Sequence, residues 1–253
     1  MLGLVKRAWL DSGGVYGHRK VTLDLRDLGE TCSRHRIERL MKSEGLRALV
    51  GYRRRPRPQG GEVAVIAGNI LDREFSPPAP NLASVTDITY IRTHEGWLFL
   101  AVVLDLFSRQ VVGWAMNSTQ HTDIVLQALL AAVWRRKPAP GLVLHSDQGS
   151  QFTSEAWRSF LAAHDIVCSM SRRGNCHENA VAESFFQLLK RERIKRKIYA
   201  SRDDARADVF DYIEMFYNPR RRHSSNGGLS PVDLSGSNKR LACECLRKPG
   251  RFT

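Results

Sequence analysis

The chain has 253 residues, 42% of them hydrophobic, room for one large core and a smaller satellite unit, and no apolar run approaches the ~20 residues of a membrane span. Its formal net charge of +13 is uneven: residues 1–60 hold 14 Lys/Arg against 6 Asp/Glu, residues 61–171 hold 7 against 10, and residues 172–253 hold 18 against 10. Basic flanks around a slightly acidic middle favour a protein that grips a polyanion and gathers cations at its centre over one with merely solvated charged faces.

Residues 1–50 read as a small helical unit. A short first helix covers Leu4 to Leu10, and a second runs through Val21, Leu23 and Leu25 until Gly29 stops it. Ser33 is placed to cap a third helix, Arg34 to Glu44, which Gly45 ends. Ile37, Leu40 and Met41 share its buried face, while Arg34, His35, Arg36, Arg39 and Lys42 occupy much of the rest. Helix, Gly-containing turn and basic helix is a helix-turn-helix layout, whose last helix reads the major groove; a three-helix scaffold with a solvated basic face has the same pattern. Residues 51–80 form a linker, basic at Arg53-Arg54-Arg55 and bounded by Gly60-Gly61 and Pro77-Pro78-Ala79-Pro80. The arginines can follow a phosphate backbone or simply solvate a spacer.

From Ser84 the pattern changes to strands. Val85–Ile91, Trp97–Leu106 and Gln110–Met116 are expected as three strands, with Ser108-Arg109 as the tight connection between the last two. A helix over Thr122–Arg135, a buried strand Leu142–Ser146, a helix Ser154–His164, a strand Ile166–Met170 and a helix Ala180–Ile194 follow. That order is the α/β order of a ribonuclease H-like fold, a mixed sheet with helices on both faces. The core is expected over 81–235, with a further helix near Asp203–Tyr217 leading to the basic Arg220-Arg221-Arg222-His223 and a basic tail over 236–253. Five cysteines without zinc-ligand spacing, Cys176-His177 and Cys243-x-Cys245 included, read as ordinary thiols.

Three carboxylates carry the chemistry. Asp87 lies mid-strand, Asp147 ends a buried strand, and Glu183 sits on a later helix with 35 residues between it and Asp147. A carboxylate inside a strand is costly unless something compensates its charge, and a strand's carboxyl end is a usual place for function in open α/β sheets. Three such groups from three elements can converge on two Mg²⁺ ions and leave room for a phosphodiester. Asp105 reads instead as a strand-end acid that shapes the site or the turn, and Glu178 as a second choice behind Glu183. Lys190 follows Glu183 by two helical turns, about 10 Å further along the same face. Arg172 and Arg173 flank the site on a loop, and Gln148, Ser150 and Gln151 either orient substrate or satisfy a turn.

The segments Asp87-Ile88-Thr89-Tyr90, Ala101-Val102-Val103-Leu104-Asp105-Leu106-Phe107-Ser108-Arg109, Ser146-Asp147-Gln148-Gly149-Ser150-Gln151-Phe152, Ser169-Met170-Ser171-Arg172-Arg173-Gly174-Asn175 and Glu183-Ser184-Phe185-Phe186 resemble the second-frame (B-frame) transposases of the insertion-sequence three family and, more distantly, retroviral integrases. The resemblance runs from about Leu4 to about Leu234. It implies an integrase catalytic core in which Asp87, Asp147 and Glu183 are both the catalytic and the metal-binding residues. It implies two Mg²⁺ ions, with Mn²⁺ able to substitute, and Lys190 against the DNA end near the cut. The activity implied is cleavage at element ends followed by transfer of the freed 3′-hydroxyl, in a multimer on element-end and target DNA, alone or with an upstream-frame protein or fusion. Two other readings stay open: a non-catalytic DNA-binding regulator of transposition, and another ribonuclease H-like nuclease. Location is expected to be cytoplasmic, on the nucleoid when DNA is bound.

Overall fold

The computed structural model describes residues 1–49, 67–72, 74–171 and 179–236. Arg53, Arg54, Arg55, Arg172, Arg173, Glu178, Cys176, Cys243 and Cys245 lie outside the described residues.

Three helices open the chain: α1 (Leu2–Asp11), α2 (His18–Asp27) and α3 (Arg34–Ser43). Val21 and Leu25 of α2 and Ile37 and Met41 of α3 are four apart, so each pair lies on one helix face and buries together with Val5 and Ala8 of α1. The Ser33 side chain accepts from the Arg36 backbone N–H at 3.3 Å, as the expected cap requires. Gly45 follows α3 at φ +67°, a left-handed turn that a side chain would strain.

The sheet has five strands: β1 (Ala83–Thr93), β2 (Gly96–Asp105), β3 (Val111–Asn117), β4 (Val143–Ser146) and β5 (Val167–Met170). The first three form an antiparallel meander, β4 and β5 add in parallel, and the order is β3-β2-β1-β4-β5. β2 reads as a continuous apolar run because both its faces are covered. Leu98, Leu100, Val102 and Leu104 meet one core; Ala101 and Val103 meet the other. Over the second face lie α4 (Thr122–Arg136) and α5 (Glu155–Ala163); over the first lie α6 (Ala180–Glu192) and α7 (Arg202–Phe210). α4 crosses β3 closely at Gly113, where a Cβ would stand 2.2 Å from the Ala128 carbonyl oxygen. Asp105, expected to shape a site or a turn, shapes the turn: it is buried and accepts from Asn81, from the Ser108 N–H and from the Ser108 hydroxyl.

One expected helix is two pieces. α7 ends at Phe210 and the chain continues as a wider π-helical segment, Asp211–Tyr217. Tyr212, Ile213, Phe216 and Tyr217 of this segment are all buried in the core. The Asn218 side chain then both donates to and accepts from the Val111 backbone at 3.0 Å, tying this segment to β3. The helical unit shares the α6–α7 core and is pinned there by polar contacts. Tyr16 donates to the Arg220 carbonyl at 3.1 Å, and the Arg222 guanidinium donates to Asp24 at 2.6 Å and also pairs with Asp27. Beneath it Glu192, 1% exposed, accepts from Arg221 at 2.6 and 2.9 Å and from Tyr212 at 2.7 Å.

Candidate active site

β1 and β4 pair in parallel from Ala83–Val143 to Val85–His145 and then part. Asp87 and Asp147 each stand two residues beyond that last pair. Adjacent strands are about 4.8 Å apart, so the fork delivers both carboxylates to one place. Asp87 stays anchored on its other side, opposite Val102 of β2, and its Oδ1 accepts from the Ile88 N–H at 2.7 Å. Asp147 turns toward solvent, with Oδ1 accepting from the Gly149 N–H at 2.9 Å.

The third acid arrives on α6. Ala182, Phe185, Phe186 and Leu189 bury themselves in the core, which fixes the rotation of the helix and leaves Glu183 and Lys190 on its neighbouring face. Glu183 is partly buried in the first turn, where the helix dipole favours a negative charge. Lys190 is partly buried, its Nζ 4.9 Å from the centre of the Tyr90 ring.

The charges of Asp147, Glu183 and Lys190 all act on Asp87. The Asp87 carboxyl is pushed up to about 7, first by burial, then by the charge of Asp147 and, after a partial offset from the Ile88 N–H, by Glu183; Lys190 pulls it back. Burial also raises Asp147, against the pull of the Gly149 N–H. Lys190 is lowered by burial and by Lys195, while Asp87 raises it. Among the described residues no set of three carboxylate, imidazole or thiol groups closes into a ready-made chelate. An open acidic cluster of this kind suits Mg²⁺, which keeps waters and takes one or two carboxylates plus substrate phosphate oxygens rather than an all-protein cage. The raised Asp87 is the observation that favours a cation here: its charged form, buried beside two other acids, is only partly offset by the Ile88 N–H and Lys190.

Sequence reasoning missed the polar ladder behind Asp147. His145, buried, shares hydrogen bonds of 2.9 Å with both Ser169 and Ser171, and Ser169 accepts from the Ile70 and Leu71 N–H groups at 3.0 and 3.1 Å. Gln148 donates to the Ser171 carbonyl at 2.8 Å, and Gln151 donates to the Gln120 carbonyl at 3.1 Å, so both side chains brace the turn. The available signal was a histidine inside the otherwise apolar Leu142–Ser146. Of the expected DNA contacts, Arg34, Arg36, Arg39 and Lys42 are exposed on α3.

A sheet of this order, with helices on both faces and acids at the fork of its central strands, belongs to the ribonuclease H-like integrase class. Two models described as Integrase core domain match residues 77–176 and 164–231, and one described as HTH-like domain matches residues 1–56. The chain is 39% identical over 235 residues, 93% of its length and 82% of the relative's, to "Transposase InsF for insertion sequence IS3A" of Escherichia coli (strain K12). It is 36% identical over 228 residues, 90% of this chain and 84% of the other, to the "Insertion element IS600 uncharacterized 31 kDa protein" of Shigella sonnei. The chain belongs to the IS3 family of insertion-sequence transposases. A simian T-cell lymphotropic virus intasome, solved with PP2A regulatory subunit B56 gamma, shares the fold at a TM-score of 0.52 and 16% identity, over 90% of this chain and 73% of that one.

Proposed function

We propose that this transposase cuts DNA at the ends of its element and transfers the freed 3′-hydroxyl to target DNA, with Asp87, Asp147 and Glu183 as the catalytic carboxylates. The carrying observation is the fork of β1 and β4, where Asp87 is held near 7 by burial and by the two other acids. The three carboxylates would hold two Mg²⁺ ions, or Mn²⁺ in their place. Bound there, the ions supply charge that activates the attacking oxygen and stabilises the leaving one. In the first step a water oxygen bonds to phosphorus and the P–O3′ bond breaks, freeing a 3′-hydroxyl. In the second that hydroxyl attacks a target phosphate, and an equivalent P–O3′ bond breaks, so the number of phosphodiester bonds is conserved.

The rest of the chain positions DNA. Lys190, beside Asp87, takes a phosphate next to the cut. Arg34, Arg36, Arg39 and Lys42 present α3 to duplex DNA, and Arg53, Arg54, Arg55, Arg172 and Arg173 add backbone contacts. Residues 1–50 act as the DNA-binding unit, 51–80 as a basic linker, 81–235 as the catalytic core and 236–253 as a basic tail. Two element ends and a target call for a multimer of this chain, alone or joined to an upstream-frame protein. Among the described residues no helix is long and apolar enough to cross a membrane, and DNA as substrate places the working protein on the nucleoid.

The test is strand transfer by the purified chain on labelled DNA carrying its element's ends, with Mg²⁺ and with EDTA. Metal-dependent joined products that disappear in Glu183→Gln support the reading. Joined products that persist in Asp147→Asn or Glu183→Gln would sink the site assignment. Binding without joining, unchanged when an upstream frame is fused, favours a regulator.

A further inference from the structure

Three residues past Asp87, β1 carries an aromatic side chain that the core does not use. Tyr90 is 58% exposed, and Trp97 on the neighbouring strand is 47% exposed. Their rings meet edge to face at 5.1 Å and 84°. Burying such rings would remove a large apolar area from water, yet among the described residues they stay about half exposed. Among the described residues β1 pairs with β4 only as far as Val85, and the next bridge on that edge is Thr93 with Tyr199. Cations flank the pair: Lys190 lies over the Tyr90 ring at 4.9 Å, and exposed Arg92 sits directly opposite Trp97 in the β1–β2 register.

The platform is also held still. The Trp97 carbonyl accepts from Arg202 Nε at 3.1 Å, the Arg202 N–H donates to Glu95 at 2.8 Å, and the His94 N–H donates to the Tyr199 carbonyl at 3.1 Å. These contacts bolt the β1–β2 hairpin to the start of α7. Tyr90 stands about 10 Å along β1 from Asp87 and, three residues on, on the opposite face of the strand with Ile88; Lys190 of α6 reaches its ring from the Asp87 side.

We infer that Tyr90 and Trp97, flanked by Lys190 and Arg92, form a stacking platform for an unpaired base of the DNA strand whose phosphate lies at Asp87. The inference rests on the proposed strand-transfer reading and adds to it a substrate form, a frayed or unpaired end. Exposed rings beside cations are what single-stranded nucleic acid uses: a π-face for any base and a positive charge for the next phosphate. Lys190 joins the two halves, since it touches the Tyr90 ring and also acts on the Asp87 charge.

The experiment uses the full chain and a duplex carrying the element's ends, with 2-aminopurine replacing each of the last three bases in turn. Wild type is expected to change the probe's fluorescence at one position. Tyr90→Leu and Trp97→Leu should lose that response, and end joining should fall about 10-fold, the scale of one lost base–aromatic stack. Tyr90→Phe and Trp97→Phe should keep both, which separates stacking from a folding defect. Wild type that joins ends with no probe response at any position overturns the platform but not the strand transfer. So do Leu variants that respond as wild type does, or that change only the oligomeric state, which would make the surface a contact between protein copies. A probe response lost in the Leu variants, from a wild type that joins nothing, keeps the platform and overturns the strand-transfer reading.

Discussion

Replacing Asp87 by asparagine should stabilise this protein while abolishing its chemistry. Asp87 is placed for a cation, and without one its charge has only the Ile88 N–H and Lys190 to meet it. Asparagine has the same shape and keeps an oxygen to accept from Ile88. Raising the carboxyl from 3.8 to about 7 corresponds to a ceiling of about 4 kcal/mol at pH 8. Asp87 is partly solvent-accessible, and screening reduces that to about 1–3 kcal/mol.

The sign follows from proton binding. Between pH 3.8 and about 7 the folded protein holds a proton on Asp87 that the unfolded chain has released. Stability must therefore fall as pH rises through that window and flatten above it. Urea denaturation of wild type and Asp87→Asn in EDTA, at half-unit steps from pH 4 to 8, reads this directly. The difference between the two proteins removes other titrating groups that they share. The expected result is a variant that matches wild type near pH 4 and exceeds it by about 1–3 kcal/mol at pH 8, with Mg²⁺ narrowing the gap by stabilising wild type. A variant less stable than wild type at pH 8, or a gap that does not change with pH, would refute the reasoning.

Three further outcomes are expected. Arg221→Met should cost about 2–4 kcal/mol by leaving the buried Glu192 charge only the Tyr212 hydroxyl and Arg191 at 3.5 Å, and adding Glu192→Leu to it should recover part of that loss in a urea denaturation cycle; a single-variant cost under about 1 kcal/mol would show that the pair is not structural. Gly113→Ala puts a methyl 2.2 Å from the Ala128 carbonyl and should lower stability by about 1–3 kcal/mol or more, read as a drop in Tm. Lys190→Ala should weaken binding to the element's end and lower the slope of log affinity against log salt by about one.

Much of this architecture could be read from the chain because its causes are local. β2 announces itself by apolar residues at every position from Trp97 to Leu104, and α6 by Ala182, Phe185, Phe186 and Leu189. The acids at the fork are legible because each stands inside a recognisable segment. The π-helical segment was not legible: Tyr212, Ile213, Phe216 and Tyr217 fit an ordinary helix equally well, and the contact that follows it, Asn218 with Val111, is made far away in sequence. The Arg220-Arg221-Arg222 run is another case. Along the chain it is simply basic; in the fold Arg221 belongs to Glu192, and Arg222 to Asp24 and Asp27.

That difference bears on how the two ends of the molecule cooperate. A basic cluster spent on internal pairs cannot release counterions from DNA, so the polyanion must be gripped by cations without buried partners, such as those exposed on α3. The arginines spent internally hold α2 against the helix that carries Glu183. Arg222 reaches α2, while Arg221 next to it anchors Glu192 at the end of α6. Two adjacent residues therefore link the helical unit to the element that positions the third carboxylate. On the proposed reading, a load that DNA places on α3 reaches α6 through that link and through the shared core, and α6 is held both at its Phe185 face and at its Glu192 end. The stability invested in Glu192–Arg221 is, on this argument, what keeps the acids aligned while DNA is held.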